Sequence, residues 1–381
     1  MDFNLTEDQK ELEGLAADLL AREVTVERLE THEKSGAPYD LGLWKAMAQA
    51  GLLGIALPEE VGGAGLGAIE LAVVLRAVGA HVAPVPAYAS LALAALPMAK
   101  HGTEAQRQLL TPLAEGETVL TGAYREPGDG LATTARHDGD GYLLTGVKTF
   151  VPYAAAASYI LIPAHVEGAG IGVFLVEPSA VTLTPHPAAT GEPMSRIALD
   201  GVRVDADALL GGLADGAAWA TLGRFAMAGA VATVSGVIDG ALKLTTEYVK
   251  TREQFDRVLA EFQAVTMQIG DVYIAKRALD VGVWAGVWRL DEAARHSKGA
   301  TPPLRESDVD EVLAIAAYNA CDPVVKALYT CQHLHGGIGL DVTYPLHRYF
   351  AAAKHYGHLL GGAEAQLDAI GGLVAGVSMS I

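Results

Sequence analysis

Residues 248–265 read YVKTREQFDRVLAEFQAV. The spacing of apolar residues in this stretch predicts the end of one helix, a tight connection and the start of another. Val249, Phe255, Val258, Leu259 and Phe262 are the expected apolar anchors. Arg252 and Gln254 stand beside Phe255 with no evident structural duty. An exposed Arg next to an aromatic at a helix junction suits the grip of an anionic ligand, because a guanidinium is permanently charged and presents a fork of donors to phosphate oxygens. The plainer alternative is a solvated surface Arg.

Outward from this junction the chain reads as helical on both sides, over residues 225–249 and 263–290, then 307–334 and a last segment from Tyr349, with a loop at Gly299-Ala300-Thr301-Pro302-Pro303. Farther upstream the period changes. Runs at 119–124, 142–145, 159–163, 172–176 and 196–204 are β-rich and separated by turns such as Asp138-Gly139-Asp140-Gly141. The N-terminal third is helical again. Thr6-Glu7-Asp8-Gln9 has the spacing of a capping box ahead of Leu12, Leu15, Ala16, Leu19 and Leu20, and further helices are expected over 41–51, from 68 through 78, and over 87–100. The expected organisation is a helical domain (1–118), a middle β domain (119–212) and a C-terminal helical bundle (213–381).

Two motifs carry a family resemblance. REQF at 252–255 followed by FQAV at 262–265 resembles the signature of acyl-CoA dehydrogenases, and His335-Gly336-Gly337-Ile338-Gly339, followed by YPLHRY at 344–349, resembles that family's glycine stretch. Gly54 to Gly65 likewise resembles the family's PEE-x-GG loop. The resemblance covers essentially the whole chain. It implies a mainly α fold with a middle β domain and a C-terminal four-helix bundle. In the family, the Arg and Phe reach across a dimer interface to the diphosphate of the neighbour's FAD, and the glycine stretch packs its backbone against the same cofactor. Arg252, Gln254, Phe255, His333, Gly336 and Gly337 are therefore the implied cofactor-binding residues. Asp256 replaces the usual Gly, and His333 the usual Gln.

The catalytic residue is missing from both places where the family carries it. That chemistry removes two hydrogens across the α–β bond of an acyl-CoA, with a Glu taking the α-proton. The matching positions here are Gly223, before Arg224, and Gly361, in Leu360-Gly361-Gly362-Ala363. Glycine accepts no proton. Glu364 is a substitute only if the helix register turns it toward the same place. The flavin seat also departs from the family: Arg125 and Leu131 stand where hydroxyl residues are usual, and Pro152 follows Lys148-Thr149-Phe150-Val151 where a Thr or Ser is usual. Pro152 has no N–H to offer.

This mixture resembles the non-catalytic subunits of heteromeric (α2β2) acyl-CoA dehydrogenases that act on CoA esters of steroid side chains in actinobacteria. The expectation is a subunit inactive alone, completing the FAD site of a Glu-bearing partner that holds most of the acyl-CoA. The alternatives are a stand-alone homo-oligomeric dehydrogenase with a non-standard base and a non-redox CoA-thioester-binding protein.

Bulk properties narrow the class. The 381 residues are 51% apolar and carry a net charge of −18, with no basic stripe, which argues against nucleic-acid binding. The opening MDFNLTEDQKEL resembles no targeting signal, and the uncharged run at 225–238 is short for a membrane span, so a cytoplasmic location is expected. Cys321 and Cys331 read as ten residues apart on one helix, about 15 Å along its axis and too far to bridge. His333, His335, His347, His355 and His358 lack metal-ligand spacing, so no metal is expected. Trp284 and Trp288 read as a stripe buried between helices or at a subunit interface.

Overall fold

A computed structural model describes residues 4–128, 130–296 and 306–376. The expected loop at 299–303 and Asp129 lie outside these residues. The described helices are α1 (Glu7–Glu23), α2 (Val26–Ser35), α3 (Leu41–Gln49), α4 (Ala68–Ala80), α5 (Leu96–His101), α6 (Glu104–Gln108), α7 (Thr111–Ala114), α8 (Ala217–Thr251), α9 (Gln263–His296), α10 (Glu306–Cys321), α11 (Pro323–His335), α12 (Leu346–Leu359) and α13 (Gly362–Val374). The strands are β1 (Leu120–Gly122), β2 (Thr134–Asp138), β3 (Gly141–Pro152), β4 (Tyr159–Val166), β5 (Ile171–Val176), β6 (Thr182–His186), β7 (Met194–Asp205), β8 (Glu253–Gln254) and β9 (Arg257–Val258).

The chain forms two compact units. One comprises Met1–Glu30, Ala72–Ala83 and Met227–Met379, and its described residues are mainly helical. Its α1 begins at the expected capping box, with the Gln9 N–H donating to Thr6 Oγ1 and the Thr6 N–H to Gln9 Oε1 at 2.9 Å. Leu15 departs from the expected stripe and is exposed. The long α8 passes the length and hydropathy test for a membrane span, unlike the shorter uncharged run within it, but 83% of its most apolar window is buried within the protein.

Two breaks divide what the periodicity reads as continuous. Pro323 starts α11, and because proline lacks an N–H and clashes with a preceding carbonyl, α10 stops at Cys321. Cys321 and Cys331 consequently sit on different helices, a correction to the single-helix reading; both are free thiols. The second break is Gly361-Gly362, where φ values of 87° and 85° end α12 and restart as α13.

The second unit, Thr31–Leu71 with Pro84–Ala226, contains a seven-stranded sheet in the order β1-β4-β2-β3-β7-β6, with β5 along the other side of β4. β1 and β2 run parallel to β4, and the other pairings are antiparallel. Hydrophobic patterning finds β1, β3, β4, β5 and β7 but misses β2 and β6, whose side chains mostly face solvent. The expected turn at 138–141 is the β2–β3 hairpin, with Gly139 at φ 61°. Residues expected to form one helix over 87–100 instead begin as a π-helix, Tyr88–Ala95, before α5. Pro97 is the reason: it cannot donate to the Leu93 carbonyl, so the ladder shifts, and the Leu96 N–H reaches back to Leu91.

Candidate functional site

The expected ligand-gripping residues sit on a two-residue hairpin, not on a plain loop. α8 ends at Thr251, β8 and β9 pair with Gln254 opposite Arg257, and Phe255-Asp256 form the turn with φ values of 57° and 61°. Both central residues are left-handed, the geometry of a type I′ turn that ordinarily selects Asn-Gly. A Phe in that region costs on the order of 1–2 kcal/mol. Its side chain gains little within the chain, being 88% exposed, with one edge-on ring contact to Phe262 at 6.4 Å. Phe255 is therefore not the buried anchor expected from sequence. A strained, exposed aromatic suits a surface that something else covers.

Arg252 and Gln254 are also exposed. The Arg252 backbone is held at both ends, its N–H donating to the Tyr248 carbonyl at 2.9 Å and its carbonyl accepting from the Leu259 N–H at 2.8 Å. Its guanidinium has no ion-pair partner among the described residues. The Gln254 amide donates to the Glu253 carbonyl at 2.6 Å. Asp256 does not pair with Arg257, whose guanidinium lies over the Phe262 ring at 3.9 Å.

The glycine stretch is brought beside this hairpin by a contact that the sequence does not announce. His335, the last residue of α11, is buried and stacks on Tyr248, one helical turn before Arg252, with ring centroids 4.4 Å apart and planes 22° apart. Tyr248 OH donates to the His335 carbonyl at 3.3 Å. Gly336 follows at φ 61°, ψ −140°, a conformation only glycine adopts freely, and its N–H donates to the His333 carbonyl. Gly337 has no such backbone demand, and a Cβ built on it meets nothing within 4 Å. Its lack of a side chain has no internal cause. An approach by a group from outside the chain would supply one. His333, Gly336 and Gly337 are all exposed.

The residues that the resemblance sets at the flavin seat are in the other unit. A bulge in β3 between Lys148 and Val151 carries Phe150 at φ 51°, partly exposed, with its ring edge-on to His186 at 5.0 Å. The Thr149 N–H donates to the Arg125 carbonyl at 2.9 Å, so the Arg125 backbone lies against this bulge. The Pro152 carbonyl accepts from the Thr121 hydroxyl at 2.7 Å. Behind Phe150, Lys148 is fully buried in an ion pair with Glu126, a pairing missed from sequence. The available signal was a lone Lys inside an apolar strand. Burial pushes the Lys148 ammonium down to about 8, against the pull of the Glu126 carboxylate, which favours the charged form.

Neither position where the resemblance places the base carries a carboxylate. Gly223 lies on α8 with open space where a Cβ would stand, while Gly361 sits in the left-handed turn between α12 and α13. Glu364, in the first turn of α13, is exposed. A well-solvated carboxylate lacks the desolvation that fits a Glu to take a weakly acidic proton. Among the described residues, no cluster of three or more His, Cys, Asp or Glu is arranged to hold a metal.

Comparison with known proteins agrees with the architecture. Residues 6–117 match the acyl-CoA dehydrogenase N-terminal domain and residues 218–373 the acyl-CoA dehydrogenase C-terminal domain. The chain is 36% identical to acyl-CoA dehydrogenase FadE27 of Mycobacterium tuberculosis, over 97% of this chain and 98% of that protein. It superposes on a chain of the ChsE4-ChsE5 complex from Mycobacterium tuberculosis with a TM-score of 0.90 at 33% identity, covering 99% of this chain and 100% of that one. A variant of the Tcur3481-Tcur3483 steroid ACAD gives a TM-score of 0.86 at 38% identity, covering 97% and 98%. With matched domains at both ends and near-complete coverage by relatives more than 30% identical, the chain belongs to the acyl-CoA dehydrogenase family, oxidoreductases that act on CH–CH bonds.

Proposed function

We propose that this chain is the non-catalytic subunit of a heteromeric, FAD-dependent acyl-CoA dehydrogenase that desaturates a CoA thioester, a steroid side-chain acyl-CoA by analogy with its neighbours. The observation that carries the reading is the absence of a carboxylate at both base positions, Gly223 and Gly361, with Glu364 solvated. The partner in an α2β2 tetramer supplies the Glu and most of the acyl-CoA contacts. This chain supplies Arg252, Gln254, Phe255, His333, Gly336 and Gly337 to the partner's cofactor site.

The exposed residues fit a diphosphate. The Arg252 guanidinium is exposed and without a counter-charge among the described residues, Gln254 can offer an amide N–H, and Gly337 leaves room for close backbone approach. Phe255 presents an apolar face held out by a strained turn. FAD, when bound, supplies the hydride acceptor of the reaction. This chain's residues hold its anionic end, cover it from water and take no proton themselves.

Arg252→Ala is the direct test. In the heteromer, FAD content per tetramer should fall by at least half, while the circular dichroism and melting midpoint of this chain stay within about 0.5 kcal/mol of wild type, as for other exposed substitutions. Unchanged flavin content would remove Arg252 from the cofactor site.

A further inference from the structure

We propose that His335 is a positioning residue that locks the Arg252–Phe255 hairpin and the Gly336–Gly337 ledge into one preorganised surface for the cofactor's anionic end. The inference rests on the reading of that surface given above. Every polar group of His335 is committed. Nδ1 lies 2.8 Å from the Cys331 carbonyl, which can only accept, so Nδ1 carries the proton. Nε2 therefore presents a lone pair and accepts from Tyr344 OH at 3.1 Å. The backbone carbonyl accepts from Tyr248 OH, and the ring face lies flat on the Tyr248 ring.

Each contact leads to a different part of the surface. Tyr248 is on the last turn of α8, and its carbonyl receives the Arg252 N–H, so a shift of Tyr248 carries Arg252 with it. The His335 carbonyl belongs to the peptide that enters Gly336, so the Tyr248 hydroxyl fixes the plane from which the ledge departs. Tyr344 follows the ledge in sequence and returns to the same imidazole, its ring 5.2 Å from His335 and 6.4 Å from Tyr248. The end of α8 and the chain on either side of the glycine stretch thus meet on one imidazole. Burial lowers the His335 pKa below its ordinary 6.5, which keeps the ring in the neutral form that this arrangement needs. None of the three side chains is an exposed part of the ligand-facing surface; their effect on a ligand passes through the backbone they hold.

The test uses the assembled heteromer and follows FAD dissociation by the recovery of flavin fluorescence. Tyr344→Phe keeps the ring contacts and removes the hydroxyl; His335→Phe keeps the stack and removes both ring hydrogen bonds. Each should accelerate FAD loss by about three- to ten-fold, as expected for one or two hydrogen bonds. Activity should drop at limiting FAD and recover when FAD is added in excess. His335→Gln, whose amide oxygen can accept from Tyr344, should restore retention part-way. If both variants release FAD at the wild-type rate while Arg252→Ala loses it, the positioning role is wrong and the cofactor surface stands. If Arg252→Ala also retains FAD, the surface itself is misassigned.

Discussion

Lys148 and Glu126 face each other with side chains 0% and 2% exposed. Two charges buried this deeply are tolerated when their geometry is good and further hydrogen bonds use the remaining lone pairs and protons. Here most are used: Glu126 also accepts from the Ala132 N–H at 2.7 Å and from the Thr133 hydroxyl, and Lys148 donates a second proton to the Pro163 carbonyl at 2.7 Å. The pair ties the loop before β2 to β3 and β4, directly beneath the Phe150 bulge. Removing one member leaves the other charge stranded, so Lys148→Met should cost about 3–5 kcal/mol in denaturant unfolding. The Lys148→Met/Glu126→Gln double variant should cost less than the single one. Burial alone would raise the Glu126 pKa, but Lys148, Thr133 and Ala132 outweigh it and hold the carboxyl below its ordinary 4.5. The folded state then binds fewer protons than the unfolded chain in that window. The stabilisation is complete above 4.5 and is lost as pH falls through the folded value. Melting midpoints should therefore fall more steeply on acidification in wild type than in the double variant.

At the scale of elements, glycines set how closely α4 and α8 cross. A Cβ at Gly79 would overlap the Thr233 carbonyl, one at Gly236 the Arg76 carbonyl and one at Gly240 the Ala80 carbonyl. The two backbones are in contact, which no side chain permits. Gly236→Ala decides between opposing effects. Alanine favours a helix interior by about 1 kcal/mol over glycine, but a methyl against rigid backbone forces the helices apart, at about 1–3 kcal/mol. The obstacle is a carbonyl and not a flexible side chain, so the clash should win and the melting midpoint should fall. Helical periodicity marks α4 and α8 correctly but is silent on this crossing, because a glycine inside an apolar run reads the same whether it faces a neighbour or solvent. The Phe255-Asp256 turn is a similar case. The junction between two helices is legible from spacing, whereas its left-handed geometry is not, since neither residue type announces a positive φ.

At the scale of the molecule, an isolated chain should behave as an incomplete assembly. Phe255, Leu340, Val342, Met267 and Ile274 are all well exposed, so much apolar surface is left uncovered by the described residues. Expressed alone, it should be poorly soluble, colourless and without turnover, and co-expression with a Glu-bearing relative of the same fold should rescue it. Gly361→Glu alone should not create activity. The left-handed backbone at 361 resists any side chain, and Arg125 and Pro152 remain where the family offers hydroxyls. Absorbance at flavin wavelengths and a dye-linked assay check both expectations; a yellow, active homomer would favour a complete dehydrogenase with an unrecognised base.

The order of helices, strands and helices followed from the amino-acid sequence alone, as did the two family motifs and the glycines at 223 and 361. Residue identity and short-range periodicity carry that information, and a missing side chain is missing in any conformation. Tertiary structure alone decided that Tyr248 and Tyr344 meet at His335, that Glu126 neutralises Lys148, that Phe255 is displayed and not buried, and that α10 and α11 part at Pro323. Contacts between residues far apart in the chain depend on which faces pack together, and packing is a property of the whole fold that no local pattern encodes.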